Sequence, residues 1–282
     1  LDEHTATTSS LSVEVKKEAS SLIDSSLSFE QKLELAENHD TAPGVLEALA
    51  LDEEQGNPGD YDETYALRRQ VASNPNAPIN LLLKLVDDEE NEVRFEVARN
   101  PSLPLDLMYK LSEDEILVSG VAQNTRCPSA LLEKLSKIKD DEVRGNVAAN
   151  PNCPVPLLKK WAKLKDENIR GSVAINPSTP VEILELLASD EEVSVRVGVA
   201  CNPECPNTLI LRLSEDTESD VRRYVAASEK CPVEVLARLE NDPDLDVISQ
   251  VASNCQTPQT ILARLAVHDE GKVRVAVAQN PA

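Results

Sequence analysis

Aromatic residues make up only 2% of this 282-residue chain, with a single Trp among them. So few large rings cannot build a mixed globular core. Burial must rest on Leu, Val, Ile and Ala, within an apolar content of 41%. Glycine is scarce too, with eight in all, and none forms a phosphate-cradling loop. There is no Ser-elbow motif. The three histidines, His4, His39 and His268, lie far apart with no partner pattern. No run approaches the roughly 18 apolar residues of a membrane helix. Basic residues are outnumbered, 28 against 50 acidic ones, for a net charge of −22. Acidity on this scale favours solubility and opposes non-specific binding to nucleic acid or anionic membrane. No signal-peptide pattern is visible, and the chain begins at Leu1 rather than Met, as a processed product would.

What the chain does have is a repeat. The pattern V-R-x-x-V-A-x-N-P-x-x-P-x-x-L-L-x-x-L, followed by an acidic loop, recurs from Val143, Ile169 and Val195 in its clearest copies. Its Asn slot falls at Asn74, Asn100, Asn124, Asn150, Asn176, Asn202, Ser228, Asn254 and Asn280, in steps of 26 residues except for one of 24 between Asn100 and Asn124. A fixed period of this size implies a solenoid, in which each unit buries its apolar side only against its neighbours. Residues 1–28 carry no repeat and read as a loose polar segment with a short amphipathic helix in SVEVKKEASSLID. The solenoid is expected over 29–282. It comprises a degenerate first unit at 35–52, an insertion at 53–66 around Asn57-Pro58-Gly59-Asp60, eight units over 67–272 and a half unit at 273–282.

Each unit reads as two helices of roughly ten residues, too short to persist alone in water. The first carries Val, Val and Ala at −7, −3 and −2 from the Asn, a helical stripe. The Ala never varies, which predicts close backbone approach there. The Pro after the Asn ends that helix, because it disfavours the α conformation of the residue before it. The second Pro suits the first position of the next helix, whose Leu-Leu-x-x-Leu forms the buried stripe.

On these residues the chain resembles the variant leucine-rich repeat family over about 35–282. The resemblance implies an all-α, right-handed α-solenoid of stacked short helix pairs, alternating α and short or 3-10-like helices, with no β-strand. It departs from the family in its period, 24 residues being usual there. Some members of the family precede the repeats with a cysteine cluster for an iron–sulfur centre, but this chain has no Cys before Cys127, so no such cofactor is implied. The family implies a binding scaffold and nothing finer.

The Arg after the first Val (Arg68, Arg94, Arg144, Arg170, Arg196, Arg222, Arg274) reads as a ladder of Arg–carboxylate or Arg–carbonyl bonds between neighbours, with an acidic residue usually shortly before it. The Asn column reads as a side chain satisfying backbone groups at a helix end. Four cysteines, Cys127, Cys153, Cys205 and Cys231, share a slot filled elsewhere by Thr179, Thr257 and Ala77. That implies small buried groups, and helix spacings of about 8–10 Å are too wide for disulfides along the column. Unpaired thiols point to a reducing, cytoplasmic location. Asp242, Asp244 and Asp246 imitate the start of a calcium loop, but its turn Gly and distal Glu are missing, leaving a solvated acidic loop.

One further column, the residue before the last Leu, is Lys84, Lys110, Lys134, Lys160, Leu186, Arg212, Arg238 and Arg264. In the last turn of a helix such cations complement the dipole. They also form a basic stripe, densest within residues 126–170, which carry +4 in an acidic chain. The expected partner-binding set is therefore Lys134, Lys137, Lys159, Lys160, Trp161, Lys163, Arg212, Arg238 and Arg264. No catalytic, cofactor or metal residues are expected. The leading expectation is a non-catalytic scaffold that holds another protein, through an acidic segment, on one face. Its competitors are a polyanion or nucleic-acid binder, which the charge disfavours, and an accessory subunit of an enzyme complex. End-to-end contact through the C-terminal half unit is a further expectation.

Overall fold

The computed structural model describes residue 23 and residues 26–51 and 65–281. The expected N-terminal helix over 12–24, apart from Ile23, and the Asn57–Asp60 turn lie outside them. The described residues form nineteen helices and no strand. They divide into two bodies, split between Lys137 and Ile138.

The N-terminal body contains α1 Phe29–Glu37, α2 Pro43–Ala50, α3 Ala66–Ser73, α4 Ile79–Leu85, α5 Asn91–Arg99, α6 Leu105–Leu111, α7 Val118–Gln123 and α8 Ser129–Leu135. The C-terminal body contains α9 Asp141–Ala149, α10 Val155–Trp161, α11 Glu167–Ile175, α12 Val181–Leu187, α13 Val193–Cys201, α14 Asn207–Leu213, α15 Ser219–Ala227, α16 Val233–Leu239, α17 Leu245–Ser253, α18 Gln259–Leu265 and α19 Gly271–Gln279. Within each body successive first helices pack on one another, and each second helix packs beside the first helices that flank it.

In the regular repeats the first helix has nine residues and the second seven, somewhat shorter than the sequence implies. Both are α-helical, the second the shorter as expected, and no 3-10 segment occurs among the described residues. The second prolines also sit one position earlier than expected, at the N-cap: Pro104 is extended, with ψ 143°, and its carbonyl accepts from the Met108 N–H. An N-cap needs no N–H of its own inside the helix, so proline fits there as well as at the next position. The Asn at the end of each first helix is extended as expected, Asn100 having ψ 128°. The 24-residue repeat loses its first turn: α7 has six residues and starts at Val118, in the Arg slot.

The stripes behave as read. Val143, Val147 and Ala148 of α9 are buried, as are Ile183, Leu184 and Leu187 of α12. The Ala column is buried from Ala72 to Ala252, while Ala278 in α19 is exposed. Close approach explains the small residues. A Cβ on Gly198 would stand 2.9 Å from the Ala174 Cβ and 3.2 Å from the Gly171 carbonyl, so α11 and α13 touch almost backbone to backbone.

Two polar ladders tie repeats together within each body. Asn202 Nδ2 donates to the Ala174 and Asn176 carbonyls at 2.7 and 2.8 Å, and its Oδ1 accepts from the Glu204 N–H at 2.8 Å. Asn100, Asn176 and Asn254 repeat this set with their own neighbours. The Asn therefore satisfies the frayed carbonyls of the preceding first helix, which no residue of that helix can reach.

The Arg ladder uses carbonyls and carboxylate at once. Arg196 Nη1 donates to the Asp190 and Glu191 carbonyls at 2.9 and 3.2 Å. Its Nε and Nη2 hold Asp216 bidentately at 2.7 and 2.9 Å. Arg170–Asp190 and Arg222–Asp242 are built the same way. The carboxylate thus lies 20 residues after the Arg, not shortly before it: the preceding acidic loop contributes carbonyls and the following one the charge. Burial pushes the Asp190 carboxyl up, but bonds from Arg170 and the Glu192 N–H outweigh it and hold the acid below its usual range.

Candidate functional site

The basic column projects from the last turn of the second helices, where its charge faces the helix's negative end. It divides by chemistry. Arg212 donates to the Glu185 carbonyl of α12 at 3.2 Å. Arg238 donates to the Leu211 carbonyl at 3.2 Å and bonds Ser214 Oγ and Glu215. Arg264 holds Glu240 with two bonds of 2.8 and 3.0 Å. The forked guanidiniums of Arg238 and Arg264 each make two or more bonds to the preceding repeat, where Lys134 of the same column makes a single exposed pair. These three side chains are therefore braces between repeats in this structure, occupied before any partner arrives.

The lysines differ. Lys134 forms an exposed pair with Glu113 at 3.5 Å in the N-terminal body, where Lys137 is also exposed. In the C-terminal body Lys159 and Lys160 stand at the end of α10 and Lys163 just beyond it, all exposed. None of these three makes an ion pair among the described residues. Trp161 is core, as its Leu slot implies, and only the expectation that its ring edge anchors a partner is corrected. It fills its Leu slot with 3% of its surface exposed, so its ring stabilises the stack and offers no edge to a partner.

Sequence reasoning missed an apolar component. The residue directly after the second Pro is solvent-facing: Val155 is 47% exposed and Val181 43%, with Val233 alike. Leu186, the break in the basic column, is exposed as well. The signal was present as an apolar residue lying off the Leu-Leu-x-x-Leu stripe. Along α10 and α12 the solvent-facing surface thus combines Val155, Lys159 and Lys160 with Val181 and Leu186.

The cysteine slot is structural. All six sulfurs are free. Burial pushes the Cys127, Cys153 and Cys231 thiols up to about 12 and that of Cys205 to about 11, the opposite of an activated nucleophile. Thr179 and Thr257 in the same slot donate to the Val173 and Val251 carbonyls at 2.6 Å, which explains the interchange. Asp242 is engaged by Arg222, and Asp244 accepts from the Asp246 N–H as the cap of α17, so these acids serve the helix entry. Among the described residues no cluster of three His, Cys, Asp or Glu is placed to hold a metal ion. No helix of the described residues is long and apolar enough to cross a membrane.

One repeat lacks its Asn rung. Beside Ser228, between the ends of α13 and α15, opens a cavity of about 310 Å³ lined by Ala200, Cys201, Asn202, Cys205, Tyr224 and Lys230, among others.

No family model and no curated protein matches the sequence. Among solved structures the chain is similar to a leucine-rich repeat variant described as having a novel repetitive structural motif. The two are 27% identical over 79% of this chain and 90% of that one, with a TM-score of 0.43.

Proposed function

We propose that the protein is a non-catalytic scaffold that holds an acidic segment of another protein against the second-helix surface of its C-terminal body. The observation that carries this reading is the trio Lys159, Lys160 and Lys163. These are three exposed cations with no carboxylate partner among the described residues, in a chain of net charge −22. Elsewhere in the same column the arginines are consumed by carboxylates and carbonyls. Val155, Val181 and Leu186 border the lysines with exposed apolar surface, which supplies the desolvated contact that charge alone does not. Lys134 and Lys137 are exposed on the N-terminal body, and the proposed site on the C-terminal body does not include them.

The test is titration of a fluorescent acidic peptide with alternating Glu and Leu against the native chain and the triple reversal Lys159→Glu, Lys160→Glu, Lys163→Glu. The native chain should bind with an affinity that falls as salt rises, and the reversal should weaken binding by roughly tenfold or more while flattening the salt dependence. Equal affinity for both chains removes these lysines from the interface. Tighter capture of a short DNA duplex than of the peptide would replace the acidic-protein reading with a polyanion one.

A further inference from the structure

We propose that the cavity at Ser228 is a binding site for a primary carboxamide, which takes the place of the missing rung of the asparagine ladder. The molecule itself displays the recognition chemistry. At the next repeat Asn254 Nδ2 donates to the Ala226 and Ser228 carbonyls at 2.6 and 2.9 Å, and its Oδ1 accepts from the Gln256 N–H at 2.8 Å. At Ser228 the same three groups of the preceding register are present without their amide. The Ala200 carbonyl, which corresponds to that of Ala226, receives no hydrogen bond among the described residues. The Asn202 carbonyl holds only the Cys205 N–H at 2.9 Å, leaving a lone pair. The Lys230 N–H reaches Ser228 Oγ at a long 3.3 Å.

The serine side chain stops short of where an asparagine amide ends, and Ser228 lines the 310 Å³ cavity. It opens to solvent past Cys201, Glu229 and Lys230, all exposed. Two convergent carbonyls select a donor of two N–H groups, and the Lys230 N–H with the Ser228 hydroxyl selects an acceptor beside it. A carboxylate is repelled by the carbonyls. A cation faces the Lys230 ammonium, which is anchored nearby on the Pro203 carbonyl and Glu204. A primary amide carries both required functions on one planar group. The volume left over accommodates the rest of a larger molecule, flanked by the Tyr224 ring and Cys205. The amide belongs either to a small molecule such as free glutamine or to an Asn or Gln side chain of a bound polypeptide.

The experiment is an NMR titration of the isotope-labelled full chain with acetamide, with N,N-dimethylacetamide and acetate as controls, repeated on Ser228→Asn. Acetamide should shift the amide signals of Lys230, Cys205 and Tyr224 and saturate with a dissociation constant on the order of 10 mM, as a four-atom fragment should. Dimethylacetamide, which has no N–H, and acetate should act at least tenfold more weakly. Ser228→Asn restores the internal rung, so it should fold with a raised Tm and lose the response. Free glutamine and a capped Gly-Gln-Gly peptide then separate the sources, the tighter of the two identifying the natural ligand class. An equal response to acetamide and dimethylacetamide, an unchanged response in Ser228→Asn, or no saturable shift would overturn the proposal and leave the cavity to water.

Discussion

Replacing Asn176 tests the ladder most directly, because its three bonds lie wholly within the C-terminal body. Its Nδ2 donates to the Ala148 and Asn150 carbonyls at 2.6 and 2.7 Å, and its Oδ1 accepts from the Ser178 N–H at 2.8 Å. In Asn176→Ala the Asn150 carbonyl keeps its bond from the Cys153 N–H at 2.9 Å. The Ala148 carbonyl and the Ser178 N–H are left without partners. The carbonyl of buried Ala148 costs about 1–3 kcal/mol when orphaned, while water reaches the N–H of exposed Ser178, so the expected loss is about 1–3 kcal/mol against the roughly 5–15 kcal/mol of a typical fold.

The isosteric Asn176→Asp sharpens the test. It places carboxylate oxygen against two carbonyl oxygens and raises the acid's pKa above its unfolded value of about 3.9. A raised folded pKa means stability that is present below the unfolded pKa and lost as pH rises through the folded one. The Asp variant should therefore be worse than Ala at pH 7 and recover toward pH 4, where a protonated acid can donate again. Urea unfolding at both pH values, with unchanged m, reads this out. A loss below about 1 kcal/mol for Ala, or no pH dependence for Asp, would refute the ladder as a stabilising element.

Three other predictions follow from the same packing. Gly198→Ala should destabilise, its Cβ falling 2.9 Å from that of Ala174, whereas Gly171→Ala, with nothing within 4 Å, should gain about 0.5–1 kcal/mol of helix propensity; equal signs in thermal melts would refute the close approach of α11 and α13. In the native chain a thiol reagent should modify exposed Cys201 and Cys255 and spare the four buried cysteines, with all six reacting after denaturation; because burial raises the thiols, stability should also fall as pH rises above about 9, less so in Cys153→Thr. Asp190 and Asp216 are held below their usual range, so their contribution is present above pH ~4 and lost as pH falls; the double change to Asn should be less stable at pH 7 and show a shallower acid limb in a melting series.

The repeat, the two helices per unit, the Val–Val–Ala stripe and the structural Asn were all legible in the sequence. Each is fixed by spacing within one unit, where periodicity and proline chemistry act locally. What was not legible depends on which way a side chain reaches across the stack. Arg196 reaches backward to the Asp190 and Glu191 carbonyls with one nitrogen and forward to Asp216 with the others; the sequence shows acids on both sides and cannot choose. Likewise the basic column reads as uniform, yet Arg212, Arg238 and Arg264 are long and forked enough to brace the preceding repeat while Lys160 stays unpaired. Trp161 in a Leu slot reads first as core and only second as an anchor, and its burial leaves the core reading alone.

The same contrast underlies both proposed sites. A residue that obeys the consensus is already spent on its neighbours, as the Asn, Arg and Ala columns are. Free binding capacity must then reside where a unit departs from consensus and leaves a partnerless group behind. Lys159 and Lys163, crowded beside Lys160 of the basic column, are such a departure in charge. Ser228 is one in hydrogen bonding, because shortening one side chain strips the Ala200 carbonyl of the donor that its counterparts Ala174 and Ala226 receive. In a chain built of near-identical units, the irregular ones are the positions at which recognition can be specific.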